Sequence, residues 1–389
     1  MAQKKLKVLH ITAGFAIEGP LGGIEKFGVE LVRRQKRNGL VEPIICGLWS
    51  FGTPYEQKWI DDLQAEGIHA FMTGPYAADS VYQTLQTAIH HLRTIDLEVD
   101  IIHNHCTFGD VIALFAARRL GAKKLIRTVH NEVEWVKHPI LGRIFLTNLL
   151  YPFVFQLETA VSKVAVQNLD RRPLARLLRK QALLTYNAIN YEDVQRRVLH
   201  EAIREPIPFR PNARLIGTVG RLAPQKGHSI LLRAVAILVA QGIDLQCVIV
   251  GDGKLGDELR ELSAELNLEN HIIFTGARSD VIGIVKRLEL FVSSSLWEGL
   301  PTTMMECAIA RVPMVTTDVG GSTEIVKHQM GGWVVDENDP NALAHGIHHM
   351  LQLDKSELEL ITQFTHDHVK AHYTINSTAQ ILENAYLNG

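Results

Sequence analysis

Short apolar runs alternate with helix-period stretches along nearly the whole chain, and that rhythm narrows the fold more than any other feature. In the first half the strand-like runs are Val8–Ile11, Val41–Gly47, Ile68–Phe71, Ile101–His105, Leu125–His130 and Ala160–Val161. Segments such as Glu25–Arg37 and Val81–Ile95 lie between them with apolar residues at helical spacing. The repeat of strand, helix and strand predicts an α/β fold with a parallel, doubly wound sheet. The series closes near Leu183–Asn187. A second one runs through Leu215–Val219, Gln246–Val250, His271–Phe274, Leu290–Val292, Val312–Thr316 and Gly332–Val335. Between the two lies the polar, proline-bearing stretch Glu205–Asn212, which reads as a linker. The expected domains are therefore 1–204 and 205–373, each a Rossmann-like sheet whose ligands bind beyond the carboxyl ends of the strands.

A chain of 389 residues, 46% of them hydrophobic, has enough apolar side chains for two cores. Its net charge of −2 gives no sign of a nucleic-acid partner. Residues 1–190 carry 23 Lys and Arg against 17 Asp and Glu, a net of +6, which leaves −8 for the remainder. A basic first half hints at an anionic partner, either a phospholipid surface or a pyrophosphate-bearing acceptor. Cys46, Cys106, Cys247 and Cys307 are far apart and suggest neither a zinc site nor a disulfide framework, so a reducing cytoplasm fits. No run of about 18 apolar residues occurs, which predicts a soluble or peripheral protein.

The segment Leu290–Gly321 carries the most chemistry. A strand leads through Ser293–Ser295 to Glu298-Gly299-Leu300-Pro301, and a helix opens at Thr302-Thr303 with Glu306 in its first turns. Backbone N–H groups at a helix start favour a phosphate, whereas carboxylates repel it and instead accept sugar hydroxyls. Both together suit a sugar nucleotide. Gly22-Gly23-Ile24-Glu25 follows the first strand and the loop with Gly14 and Gly19, and lets the backbone approach a diphosphate, although a plain βα turn reads the same way. In Gly220-Arg221-Leu222-Ala223-Pro224-Gln225-Lys226-Gly227 an Arg fork and a Lys point charge suit a pyrophosphate, against the alternative of two solvated cations. Val250-Gly251-Asp252-Gly253 and Phe274–Asp280 end two further strands. His103-Asn104-His105 and His130 end strands of the first half, and no third ligand of convincing spacing supports a metal.

These motifs together resemble the family-4 retaining glycosyltransferases of the GT-B fold, in which two glutamates with seven residues between them form the signature, here Glu298 and Glu306. Pro313, Gly320-Gly321 and Glu324 stand where that family has its downstream pattern, and the likeness covers about residues 8–370. It implies two Rossmann-like domains facing a central cleft, the first binding acceptor and the second binding donor, with a final helix (374–389) returning to the first. It further implies that Arg221 and Lys226 stabilise the leaving diphosphate, that Glu298 and His130 attend the transferred sugar with His105 behind His130, and that Glu306 holds the ribose. Gly22, Gly23, Gly251, Arg278, Gly299, Leu300, Pro301 and Thr302 complete the donor contacts, Arg278 touching base or phosphate. Ala188 departs from the pattern, where the family has Gly.

The implied activity is metal-independent, retaining transfer of a sugar from a nucleotide-diphosphate donor, UDP being the expected nucleotide. The acceptor is a hydroxyl of a glycan or lipid-linked molecule in polysaccharide or glycolipid synthesis. No cofactor is expected. Basic amphipathic stretches at Pro139–Tyr151 and Arg171–Lys180 suggest peripheral contact with the inner face of a membrane. A sugar-nucleotide epimerase on the same fold and a non-catalytic partner subunit are the competing readings.

Overall fold

Unbroken runs of Val, Ile and Leu suit strands covered on both faces, and both sheets of this protein are built from them. The computed structural model describes residues 5–16, 22–77, 80–130 and 144–388, with the backbone alone of Val81. The chain divides into two compact units, Met1–Ala188 with Ile375–Gly389 (unit 1) and Ile189–Thr374 (unit 2).

In unit 1 the strands β1 (Leu6–Thr12), β2 (Val41–Gly47), β3 (His69–Met72), β4 (Ile101–Asn104), β5 (Lys124–Val129), β6 (Leu157–Ala160) and β7 (Leu183–Leu184) form one parallel sheet in the order β3-β2-β1-β4-β5-β6-β7. Helix α1 (Gly23–Asn38) connects β1 to β2 and buries Phe27, Val29, Leu31 and Val32. Helices α2 (Pro54–Ala65), α3 (Val81–Thr94) and α4 (Thr107–Ala116) make the next crossovers. Unit 2 repeats the plan with β8 (Arg214–Val219), β9 (Leu245–Val250), β10 (Ile272–Gly276), β11 (Leu290–Ser293), β12 (Met314–Thr317) and β13 (Trp333–Val335), in the order β10-β9-β8-β11-β12-β13. Its core gathers Ile216, Val235, Cys247, Ile249, Leu290, Val292 and Val315.

The boundary differs from the sequence expectation. It falls at Ala188–Ile189 rather than at 204–205, so the helix Tyr191–His200 belongs to unit 2. The proline-bearing stretch is polar because it is strapped down, not because it is a free linker. The Arg204 amide donates to Asp280 (2.5 Å), the Arg210 amide to Gln246 (2.6 Å), and Glu205 accepts from Arg278 (3.0 Å). Ala188 has no positive φ, so alanine meets no backbone strain there. The helix Ile375–Asn388 seals unit 1, placing Ile375, Ala379, Leu382 and Tyr386 against Val8, Phe27, Leu31 and Ile126.

Unit 1 also buries a charged network. Arg127, 1% exposed, lies between Asp110 (3.3 Å) and Glu158 (3.6 Å) and beneath the Tyr151 ring, while Arg172 holds the other side of Glu158. Removing one member of such a group strands buried charge. Arg127→Met is therefore expected to destabilise unit 1 by about 3–5 kcal/mol, measured by calorimetric unfolding. A loss under about 1 kcal/mol would mean that the network contributes little.

Candidate active site

In each sheet the first and fourth strands are neighbours, and the loops beyond their carboxyl ends carry the motifs. In unit 2 these are the loops after β8 and β11. A 3-10 turn, Pro224–Lys226, and then Gly227 lead from β8 into the helix His228–Ala240. Gly227 has φ +59°, and a Cβ there would lie 2.0 Å from the Ser294 carbonyl oxygen. The two loops are stitched together, the Leu296 amide donating to the Gln225 carbonyl (2.8 Å) and the Ser294 hydroxyl to the Lys226 carbonyl (2.9 Å). Gly251, at φ +141°, lets the loop after β9 join them, since a Cβ on it would meet the Gly220 carbonyl at 2.0 Å.

This seam brings Lys226 and Glu298 into contact. The Lys226 ammonium donates to Glu298 Oε1 at 2.5 Å, the Ser295 hydroxyl to the same oxygen at 2.6 Å, and Gln225 Nε2 lies 3.4 Å from Oε2. Glu298 is 5% exposed, so three donors replace the water it has lost. Arg221 is exposed, and its guanidinium makes no hydrogen bond or ion pair with a described residue. Gly299, Leu300 and Pro301 are buried, and the Gly299 carbonyl accepts from the Gly321 amide (2.8 Å). Pro301 caps the helix Thr302–Ile309, whose opening amides at Thr302 and Thr303 have no intrahelical acceptor. Glu306 lies one turn further, with the Arg197 guanidinium 4.0 Å from its carboxylate. Arg197 stands on the helix that the sequence assigned to the other domain, and for that reason it went unnoticed.

Two expected donor contacts are otherwise engaged. The Arg278 fork donates to both oxygens of Asp280 (2.8 and 2.7 Å) and to the side chain and carbonyl of Glu205 (3.0 and 2.9 Å). It holds the crossing segment in place, and it drives the Asp280 carboxyl down to about 2. The Gly251 amide donates to the Gly276 carbonyl (2.9 Å), so Gly251 serves close packing of loops. His228, not singled out in the sequence, is 2% exposed with neither ring nitrogen hydrogen-bonded to a described residue, and burial followed by the nearby Lys226 charge lowers its pKa to about 4.

In unit 1 the loop after β1 reaches α1 through Gly22 and Gly23. The Gly22 amide is taken by Glu25 Oε2 (3.0 Å), leaving Gly23 as the opening residue of the helix. Beside it four histidines cluster. His10 of β1 stands in register with His103 of β4, His105 follows β4, and His130 follows β5. They are 0%, 0%, 1% and 7% exposed in that order. Ligand nitrogens of His10, His103 and His105 lie within 4.8 Å of one another, a set that could hold a metal. All six of those nitrogens already have partners, however: Gln35, His105, His10, His130, Tyr386 and Thr128. The arrangement is a hydrogen-bond network with no carboxylate in it among the described residues. The sequence pointed to three of its members and missed His10, an isolated polar residue in an apolar strand. Residues 131–143, including Lys137, His138 and the first five residues of the Pro139–Tyr151 stretch, lie outside the described residues.

Comparison with known proteins places this geometry. Residues 200–365 match the family described as glycosyl transferases group 1, and residues 21–193 match glycosyltransferase family 4. YtcC of Bacillus subtilis, a glycosyltransferase by name, is 31% identical over 68% of this chain and 67% of its own length. The chain belongs to the family-4 glycosyltransferases. The UDP-Gal:alpha-D-GlcNAc-diphosphoundecaprenol alpha-1,3-galactosyltransferase of Escherichia coli is 25% identical over 64% of the chain, which spans 65% of that relative's length. The crystal structure of Anabaena HepE in complex with UDP and glucose superposes with a TM-score of 0.77 at 17% identity, covering 99% of this chain and 100% of that one. Its likeness establishes the GT-B fold for this family member.

The four imidazoles are held neutral. Burial lowers His10 to about 4 and His130 to about 3, and burial with neighbouring histidines puts His103 and His105 well below the usual value. Unfolded, each binds a proton near pH 6.5. The unfolded state therefore binds more protons below that pH, and stability falls as pH drops from about 6.5 toward 4. Thermal unfolding of unit 1 is expected at a lower temperature at pH 5 than at pH 7.5, with a flat profile above pH 7. No difference between those two pH values would show that the cluster is not neutral and buried.

Proposed function

We propose that this protein transfers a sugar from a nucleotide-diphosphate donor, UDP being the expected nucleotide, to a hydroxyl of a glycan or lipid-linked acceptor, with retention of anomeric configuration and without a divalent metal. The observation that carries this reading is the stitched pair of loops after β8 and β11. They present two cations, Arg221 and Lys226, with the start of a helix and two buried carboxylates, Glu298 and Glu306. As the C1–O bond to the diphosphate stretches, positive charge grows on the sugar and negative charge on the departing phosphate. The two cations and the Thr302 and Thr303 amides meet the latter charge, the kind of term that dominates such catalysis. The acceptor oxygen then bonds to C1 from the same face, and its proton passes to the phosphate oxygen that leaves. Glu306 takes the ribose diol, Glu298 a hydroxyl of the donor sugar, and His130 of unit 1 a substrate hydroxyl.

The lipid-linked class of acceptor is supported by the diphosphoundecaprenol in the name of the Escherichia coli relative. A surface of unit 1 supports it independently. Phe145, Leu149, Phe153 and Leu177 are between 51% and 77% exposed beside Arg171, Arg176 and Arg179, an arrangement suited to an anionic lipid surface. No described helix is long and apolar enough to cross a membrane. We place the protein at the cytoplasmic face.

Two measurements test the reading. UDP release from UDP-sugars should require an acceptor, survive chelator, and rise when a lipid-linked acceptor is supplied in anionic vesicles. Arg221→Ala or Lys226→Ala should lower turnover by roughly 10²–10³-fold. Acceptor-independent turnover of the donor would favour an epimerase, and full activity in either variant would remove the diphosphate assignment. By calorimetry, Glu306→Gln should weaken UDP binding by about 1–3 kcal/mol, the cost of an ill-paired buried group. Glu298→Gln should leave UDP binding near native and depress transfer. Equal weakening of UDP by both variants contradicts the division between ribose and sugar.

A further inference from the structure

Four side chains of unit 1 form a continuous hydrogen-bonded line: Gln35 on α1, His10 on β1, His105 after β4 and His130 after β5. Gln35 Oε1 lies 2.9 Å from His10 Nε2, His10 Nδ1 lies 3.0 Å from His105 Nε2, and His105 Nδ1 lies 3.5 Å from His130 Nε2. The His10 and His105 rings are within 12° of parallel with centroids 5.3 Å apart, the separation that an in-plane N–H···N bond between two imidazoles produces. Gln35 is fully buried, as is His10.

A neutral imidazole carries one proton, so each ring donates from one nitrogen and accepts at the other. The amide oxygen of Gln35 can only accept, and His10 must therefore donate from Nε2. That leaves a lone pair on His10 Nδ1, so His105 donates from Nε2 and accepts at Nδ1. His130 in turn donates from Nε2. Its Nδ1 is left unprotonated, buried and without a partner among the described residues. One amide at the start of the line thus sets the tautomer of the histidine at its end.

We propose that Gln35, His10 and His105 are positioning residues. They hold His130 as the Nε2–H tautomer, so that Nδ1 offers a hydrogen-bond acceptor to a hydroxyl of the substrate. The second half of the proposal rests on the assignment of His130 given above, and the first half stands without it. Burial of the whole line keeps it uncharged, so the direction is held across the neutral pH range. Turning the Gln35 amide over would reverse every bond and make His130 Nδ1 a donor instead, which makes the direction measurable.

The experiment is two-bond ¹H–¹⁵N correlation spectroscopy of the full chain labelled at histidine, with rings assigned by single His→Gln variants. At pH 7.5, His10, His105 and His130 should all show the Nε2–H pattern. Gln35→Glu keeps an acceptor at the head of the line and should preserve that pattern. Gln35→Leu should mix the His130 tautomers and lower kcat/KM for transfer roughly tenfold, the worth of about one hydrogen bond, while the Kd for free UDP stays unchanged. An Nδ1–H or doubly protonated His130 in the native protein overturns the proposal, whatever Gln35→Leu does. The Nε2–H pattern combined with full transfer activity in His130→Gln would overturn the hydroxyl contact and the placement of His130 at the substrate, leaving the tautomer line intact.

Discussion

The order of strands is the constraint on which the rest depends. In each sheet the chain winds outward one way from the first strand and then the other way from the fourth, so β1 lies beside β4 and β8 beside β11. At that reversal two loops leave neighbouring strands with no crossover helix covering both, and side chains from distant parts of the sequence meet there. In unit 2 the reversal joins Lys226 to Glu298, 72 residues apart, and in unit 1 it joins His10 to His105, 95 residues apart. Neither contact needs a special element. Both follow from parallel pairing and from loops short enough to stay near the strand ends.

The two units handle buried polarity in different ways. Unit 2 places a carboxylate against an ammonium, a hydroxyl and an amide, so that strong donors stand in for water around Glu298. Unit 1 removes charge altogether in its histidine cluster and links neutral rings through one another, which avoids the large penalty of burying an ion. It retains charge in the Arg127 network, where arginines and carboxylates alternate and a ring covers the guanidinium. The histidine line has a direction and the ion network does not.

Much of this was legible in the sequence because it depends on local pattern. Apolar runs of the right length named the strands of unit 2 and β1 to β5 of unit 1, whereas β6 was expected at Ala160–Val161 and the two-residue β7 was read only as the close of the series; Gly227 and Glu298 announced the loops after β8 and β11. What the sequence hid was pairing across the fold. Arg278 has the chemistry of a phosphate ligand, and only the crossing segment beside it reveals that Glu205 and Asp280 occupy it. The same contacts explain the misplaced boundary, since a polar, proline-bearing stretch looks like a linker until its amides are seen to be bound. His10 was invisible for the opposite reason, as one imidazole inside an apolar strand carries no local signal of the three others around it.

The helix Ile375–Asn388 has a consequence for how the protein is made. Unit 2 is one contiguous stretch of chain, whereas the core of unit 1 is completed by Leu382 and Tyr386, the latter bonding His103 Nδ1 at 2.5 Å. On the ribosome, where domains are usually finished from the amino end, the first 188 residues must wait with part of their apolar core uncovered. They reach their final packing only after the whole of unit 2 has emerged. Synthesis order and folding order are therefore inverted in this molecule, and the unit translated first spends longest in need of protection from aggregation.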